Sequence, residues 1–228
     1  DRAALNRLIR TQLASMHALG EDHAATILVA HDVTKDEKKD ALHYREGDLV
    51  RFGRGYRRLD VEAGDRFTIT RVDATAGVVH LLDASGRTRT WRPERAAKVE
   101  IYEVARRAIA AGDRIRFTRN DRMLGRHNGE LGRVITIDPE RRTAEVLAGG
   151  RMHTLDFDRE PHWEHAYAST IHAAQGRTTD RVFIHLDTAQ AHLIGHESWY
   201  VALSRARKDV RIYTDDPEKL PGGIRRSL

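Results

Sequence analysis

Ser169, Thr170 and His172 stand just ahead of the pair Gln175–Gly176, so one short stretch offers two hydroxyls, an imidazole, an amide and a glycine. Small donors of this kind suit the phosphate oxygens of a single strand, contacts that position a nucleic-acid backbone without reading its sequence. Gln175 and Gly176 suit a loop that presents residues to a ligand, because glycine lets the main chain come close. About 30 residues further on, Trp199 to Arg207 ends in Ser204-Arg205-Ala206-Arg207. An arginine held rigidly beside a nucleotide cleft stabilises charge on a transferring phosphoryl group, an effect worth about three to five powers of ten in rate. Arg205 is the candidate for that catalytic role. Either string alone is common and carries little weight. In this order, each beside a strand-like run, the two together are specific.

The elements that must hold these residues follow from periodicity. Arg181 to Leu186 and Val210 to Thr214 are short apolar-rich runs of strand type. Glu197 to Arg207 between them reads as a helix, with Tyr200, Leu203 and Ala206 on its buried face and Arg205 and Arg207 on its polar face. Strand, helix, strand suits a parallel sheet, whose strand ends and following loops present residues to ligands.

The middle of the chain contains an internal repeat. Gly47-Asp48-Leu49-Val50-Arg51-Phe52 matches Gly112-Asp113-Arg114-Ile115-Arg116-Phe117 at an offset of 65 (112 minus 47), and Arg71-Val72-Asp73 matches Thr136-Ile137-Asp138 at the same offset. Both copies read as strand, long loop, then three strands joined by turns, which predicts two small tandem β-barrels over 45–105 and 110–158. Asn128–Gly129 predicts a tight hairpin turn before a strand from Arg133 to Asp138.

Near the start, Leu5, Leu8, Ile9, Leu13 and Met16 recur along one side of a predicted helix over 3–19, and Thr26 to Ala30 is a strand candidate. Asn6 reads as a packing or capping residue. The run Lys35 to Asp40 reads as a solvated face or loop.

The 39 basic and 34 acidic residues give +5 with the histidines neutral, a modest excess that favours a polyanion. Local clusters over 51–58, 114–126 and 205–211 matter more than the total. With no cysteine, disulfides and thiolate metal sites are excluded. The 13 histidines include His192 and His196 four apart, and His162 and His165, but no convergent carboxylate accompanies either pair, so no metal site is assigned. No apolar run reaches the roughly 20 residues of a membrane span. The chain has no Gly-Lys dipeptide, hence no phosphate loop with its lysine and magnesium-binding hydroxyl. Alone it is not expected to hydrolyse ATP.

Tyr167-Ala168-x-Thr170-x-His172-x-x-Gln175-Gly176 and Tyr200-Val201-Ala202-Leu203-Ser204-Arg205 resemble the last two motifs of superfamily-1B helicases, most closely the helicase part of conjugative relaxase/helicases of the TraI/TrwC type, with RecD-like helicases as cousins. The resemblance implies an α/β fold: a RecA-like parallel-sheet lobe (1–44 and 159–228) interrupted by two small tandem SH3-like β-barrels. It implies that Ser169, Thr170 and His172 contact single-stranded DNA, that Gln175 and Gly176 adjoin the nucleotide, and that Arg205 is the arginine finger. The barrel of relatives helps form the DNA channel, which makes Arg116, Arg119 and Asn120 further DNA-binding candidates. Relatives carry a glutamate near the ribose where this chain has Thr178, so no ribose contact is carried over.

The intact protein implied is an ATP- and Mg2+-dependent 5′–3′ DNA translocase of plasmid conjugation, in the bacterial cytoplasm and passed on to a recipient cell. Its partners would be single-stranded DNA, a preceding RecA-like lobe and relaxase domain of the same chain, and a type IV secretion coupling protein, with no membrane insertion. Two alternatives stay open: a degenerate helicase-like module that binds single-stranded DNA or serves as a secretion signal, and a fragment of a RecD-like repair helicase.

Overall fold

The structure is a computed structural model that describes residues 2–95, 98–159, 161–189 and 195–219. It divides into two compact units, residues 12–165 and residues 1–11 with 166–228. Strands dominate the first, whereas the second combines two strands with helices.

The unit of residues 12–165 contains two antiparallel sheets. The first has the order β1-β6-β2-β3-β4-β5, built from β1 (His23–Ala30), β2 (Leu49–Phe52), β3 (Arg66–Asp73), β4 (Val78–Leu82), β5 (Thr88–Trp91) and β6 (Val99–Ile109). The second has the order β10-β9-β8-β7-β11, from β7 (Arg114–Phe117), β8 (Leu131–Asp138), β9 (Thr143–Ala148), β10 (Arg151–Asp156) and β11 (Trp163–His165). Without β1 the two orders are the same.

The repeat extends to fine geometry. β3 and β8 share one alternation of buried and exposed positions. The register slips once in each, between Ile69 and Arg71 and between Val134 and Thr136. Gly47 and Gly112, with φ of 88° and 92°, each donate an amide proton across 2.8 Å, to the carbonyls of Ile69 and Val134. Arg51 lies opposite Glu100, Arg116 lies opposite Glu164, and both pairs form ion pairs. Such matching depends on backbone positions that only a shared topology brings into register.

The two closed barrels expected over 45–105 and 110–158 are not seen: both sheets are open, and among the described residues no ladder joins their outer strands. β6 explains the first. Its start pairs with β2, and from Tyr102 to Ile109 it runs on to pair with β1, so the added strand extends the sheet instead of closing it. β1 also reaches the second repeat, where Thr26 and Leu28 donate amide protons to the carbonyls of Phe157 and Pro161.

Each sheet has its own core. Phe52 meets Phe67 and Trp91 edge-on at centroid distances of 5.6 and 5.2 Å, a favoured aromatic geometry. Ile115, Phe117, Val134, Val146, Leu155 and Trp163 fill the second, with Ala25, Ile27 and Ile109 added from β1 and β6. The copies differ where Phe67 is matched by Gly132. A β-carbon on Gly132 would lie 2.6 Å from Cγ1 of Val146 and 3.3 Å from Cβ of Ala148. Gly132→Ala is therefore expected to destabilise the protein by about 1–3 kcal/mol through overpacking. Urea denaturation reads this directly; an unchanged midpoint would mean that the sheet yields at no cost.

Asn128–Gly129 does turn the chain back into β8, but in another form. Only Gly129 has positive φ, 83°, and Glu130 donates its amide proton to His127, the signature of a type II turn. It ends a long loop from β7 rather than a two-residue hairpin.

In the other unit, β12 (Thr179–Leu186) and β13 (Ala206–Thr214) are parallel, joined through α2 (His196–Leu203). Ile184 and Leu186 pack with Trp199 and Ala202. The predicted helix of residues 197–207 thus ends at Leu203, placing Arg205 in a turn and Arg207 in β13. Its buried face is Trp199 and Ala202, while Tyr200 is 74% and Leu203 is 42% exposed; the indole offers more area to bury against β12.

α1 (Arg2–Ser15) also departs from its apolar period. Leu8 and Met16 lie exposed, whereas Asn6 and Arg10, four apart, are buried. Asn6 is drawn in because backbone groups elsewhere in its unit need its amide. The run Lys35 to Asp40 forms a short exposed 3-10 turn closed by an ion pair between Asp36 and Lys39.

Candidate nucleotide and nucleic-acid site

Asn6 fixes the entry to the first motif. Its Oδ1 accepts protons from the amides of Tyr167 and Ala168 at 2.7 and 2.9 Å, and its Nδ2 donates to the carbonyl of Ala168 at 3.2 Å. One buried side chain thus meets both amides and a carbonyl of an irregular segment, where ladder partners are lacking. Beyond it comes a 3-10 turn at His172–Ala174, and the Thr170 hydroxyl just ahead of it accepts from the amide of Ala173 at 3.3 Å. Ser169, Thr170, His172 and Gln175 are exposed. Gly176 has φ of 81°, a conformation that side chains disfavour, with open space where a β-carbon would stand.

The second motif returns to this loop. Arg205 donates from Nε to the carbonyl of Val201 at 3.0 Å, from Nη2 to the Ser204 hydroxyl at 2.9 Å and from Nη1 to the carbonyl of Arg177 at 3.4 Å. Its own carbonyl accepts from the amide of Thr179 at 2.9 Å. Gln175, Gly176 and Arg205, distant in sequence, therefore share one corner. That corner lies at the amino ends of β12 and β13, because Gln175–Gly176 precedes β12 and Arg205 precedes β13. Parallel sheets more often bind ligands at the carboxyl ends of strands; here a helix-to-strand turn holds the arginine.

The remaining candidates belong to the unit of residues 12–165. Arg116 is committed to the ion pair with Glu164 inside its sheet. Asn120 accepts the amide proton of Asn128 at 2.8 Å and so closes its loop. Arg119 and Asn120 both line an open cavity, where Nη1 of Arg119 lies 3.3 Å from Nε2 of His162. A guanidinium can only donate, so Nε2 accepts and the imidazole proton sits on Nδ1.

Sequence reasoning missed the other residues around that cavity, His162, Arg66 and Arg126 among them. Burial first, then Arg119 and Arg66, lowers the pKa of His162 from 6.5 to about 4. Between those values the unfolded chain binds a proton that the folded one refuses. This contribution to stability is thus complete above about pH 6.5 and falls as pH drops towards 4. Urea midpoints at pH 7 and 4.5 should separate accordingly, and His162→Gln should narrow the gap; an equal gap in the variant would place the effect elsewhere.

Among the described residues no group of three histidine, aspartate or glutamate side chains is placed to hold a metal ion. His192 lies outside the described residues. No described helix is long and apolar enough to cross a membrane.

The family of the UvrD-like helicase C-terminal domain matches residues 165–213, the stretch that holds both motifs. The DNA relaxase TraI 2B/2B-like domain matches residues 28–108, the first copy of the repeat. The chain carries these two helicase-type domains. It is 32% identical to the multifunctional conjugation protein TraI of Escherichia coli K12, over all of this chain and 13% of TraI. It is 39% identical to the conjugal transfer protein TraA of Agrobacterium fabrum, over 47% of this chain and 10% of TraA. RecD of Mycolicibacterium smegmatis is 32% identical over 47% of the chain. A structure of Pif1 helicases unwinding forked DNA superposes at a TM-score of 0.39 with 24% identity, over 50% of this chain and 30% of that one. The chain thus spans a small part of its TraI and TraA relatives, and the TraI matches run through both of its units.

Proposed function

We propose that the chain is the second motor lobe of an ATP-dependent 5′–3′ single-stranded DNA translocase of plasmid conjugation. One observation carries the reading: Arg205 reaches the carbonyl of Arg177, directly after Gln175–Gly176, so the two motifs form one corner. In this reading residues 1–44 and 159–228 form the RecA-like lobe, with the paired sheets of 45–105 and 110–158 inserted in it. Ser169, Thr170 and His172 hold the strand, and Arg116, Arg119 and Asn120 lie along its path.

The donor set at the corner fits nucleotide phosphates. Gln175 offers an amide, Gly176 an unobstructed backbone and Arg205 a forked cation that matches phosphate oxygens. It offers no carboxylate for magnesium, which the preceding lobe of the parent would hold together with the nucleotide. ATP supplies the energy of stepping; Arg205 stabilises charge at the γ-phosphate as the lobes close, while Thr170 and His172 change their grip on the strand. The other proposed partners are the relaxase domain of the same chain and a type IV secretion coupling protein, with delivery from a bacterial donor cytoplasm to a recipient; similarity to a conjugation protein supports the reading.

A second reading draws on the same arginine. All three of its donor groups have partners within its own unit, as a purely structural arginine would, and a DNA-binding or secretion-signal module needs no finger. DNA-stimulated ATP hydrolysis by the two-lobed parent, with Arg205 intact and replaced, separates the two.

A further inference from the structure

The two copies of the sheet diverge at one loop. In the first copy the loop after β2 is plugged: Tyr56 packs edge-on against Phe52 at 5.5 Å, and Val61, its bridge partner, is 4% exposed. At the offset of 65 the second copy has Asp121 and Arg126, again bridge partners, with Phe117 in place of Phe52. Arg126 lies over the Phe117 ring at 4.8 Å, is 6% exposed and donates to the carbonyl of Thr154 at 2.6 Å. An aromatic and an aliphatic plug have been exchanged for a carboxylate and a guanidinium on the same scaffold.

The exchange accompanies a cavity of about 300 Å³, at the lower end of the ~300–1,000 Å³ of small-ligand sites. Arg66, Arg119, Arg122, Arg126, Arg159 and His162 line it, and Asp121 is its carboxylate. Oδ1 of Asp121 already accepts the amide protons of Met123 and Leu124, and Arg159 leans towards Asp156 at 3.9 Å. Among the described residues Arg66, Arg119 and Arg122 meet no carboxylate within ion-pair distance. Burial, then Arg119 and Arg51, lowers the pKa of Arg66. Arg119 is half-buried while Arg66 and Arg122 are exposed, and like charges gathered without matching anions repel one another. They persist where an anion completes them.

We propose that this cavity binds one phosphate group of a nucleic-acid strand, with Arg66 from the first copy and Arg119, Arg122 and Arg126 from the second as its donors. Several forked cations around one cavity exceed what a carboxylate neutralises, and they match the oxygens of a phosphate. That the phosphate belongs to a strand rests on the proposed DNA-binding function; the anion site rests on the cavity. The phosphate is either an internal diester or a 5′-terminal monoester.

The test uses the full 228-residue chain, labelled with 15N, and follows its arginine Nε–H signals. Sodium phosphate is titrated against sodium chloride at equal ionic strength, then an oligothymidine with and without a 5′-phosphate. Saturable shifts with phosphate, weakened at least tenfold in Arg66→Gln/Arg122→Gln and in the plugged variant Asp121→Tyr/Arg126→Val, are expected. Arg133→Gln, an exposed arginine elsewhere on β8, should bind within twofold of the parent. Tighter binding of the 5′-phosphorylated strand identifies a terminus, and equal binding identifies the diester.

Shifts that chloride reproduces, or affinity that the folded double-glutamine variant retains, overturn the site. Both variants leave residues 165–213 untouched. ATP turnover by the parent therefore reports on the motor reading separately.

Discussion

Replacing Arg205 by alanine in the two-lobed parent is expected to lower DNA-stimulated ATP hydrolysis by about three to five powers of ten, with binding of the strand kept within a few-fold. The size follows from where the charge acts. In the ground state the guanidinium meets only neutral oxygens, and its contact to Arg177 is long, 3.4 Å. A γ-phosphate gathering negative charge competes readily for that donor, while the bond from Nε to Val201 keeps the side chain oriented. Lysine at this position keeps the charge and loses the fork, so Arg205→Lys should recover little. The main-chain bond from Thr179 to the carbonyl of Arg205 does not involve the side chain, so the variant should fold. Hydrolysis that survives in the alanine variant makes the arginine structural and leaves the binding-module reading in possession.

A second large effect is expected at Asn6, far from Arg205 in sequence. Asn6→Ala removes the acceptor for two amides and the donor for a carbonyl at residues 167–168, inside a residue that is 2% exposed. Each backbone group left unpaired costs about 1–3 kcal/mol. The loss should fall on the segment carrying Ser169, Thr170 and His172, which has no ladder of its own. Amide exchange at Tyr167 and Ala168 should accelerate by at least tenfold, and strand affinity should fall with it. Asn6→Asp keeps the acceptor and loses the donor, and its exchange should lie between the two. Unchanged protection in the alanine variant would show that the segment holds itself.

What the sequence made legible was pattern. The duplication could be read because Gly47 and Gly112 open equivalent strands, and the parallel pair could be read from apolar runs flanking a helix. Closure of the sheets was not legible, since it depends on which strand takes the free edge of β6, and His23–Ala30 takes it from outside the repeat. The faces of α1 and α2 went astray for a related reason: periodicity reports where apolar residues recur, and burial of Asn6 answers to backbone amides about 160 residues away. Arg116 looked available as a cation and is spent on Glu164, a partner visible only once β7 and β11 are paired. The signal for the arginine cavity was present all along, as the replacement of Val61 by Arg126 at the repeat offset.

A chain with two copies of one sheet in tandem risks exchanging strands between them as it folds, since edges and registers match. The contrast between Phe67 and Gly132 opposes that error. β3 inserted into the second sheet would drive a phenyl ring into the space where even a methyl meets Val146 at 2.6 Å, and β8 inserted into the first would leave Phe52 without the ring of Phe67. Divergence of the two cores thus acts as an address, sending each strand to its own sheet.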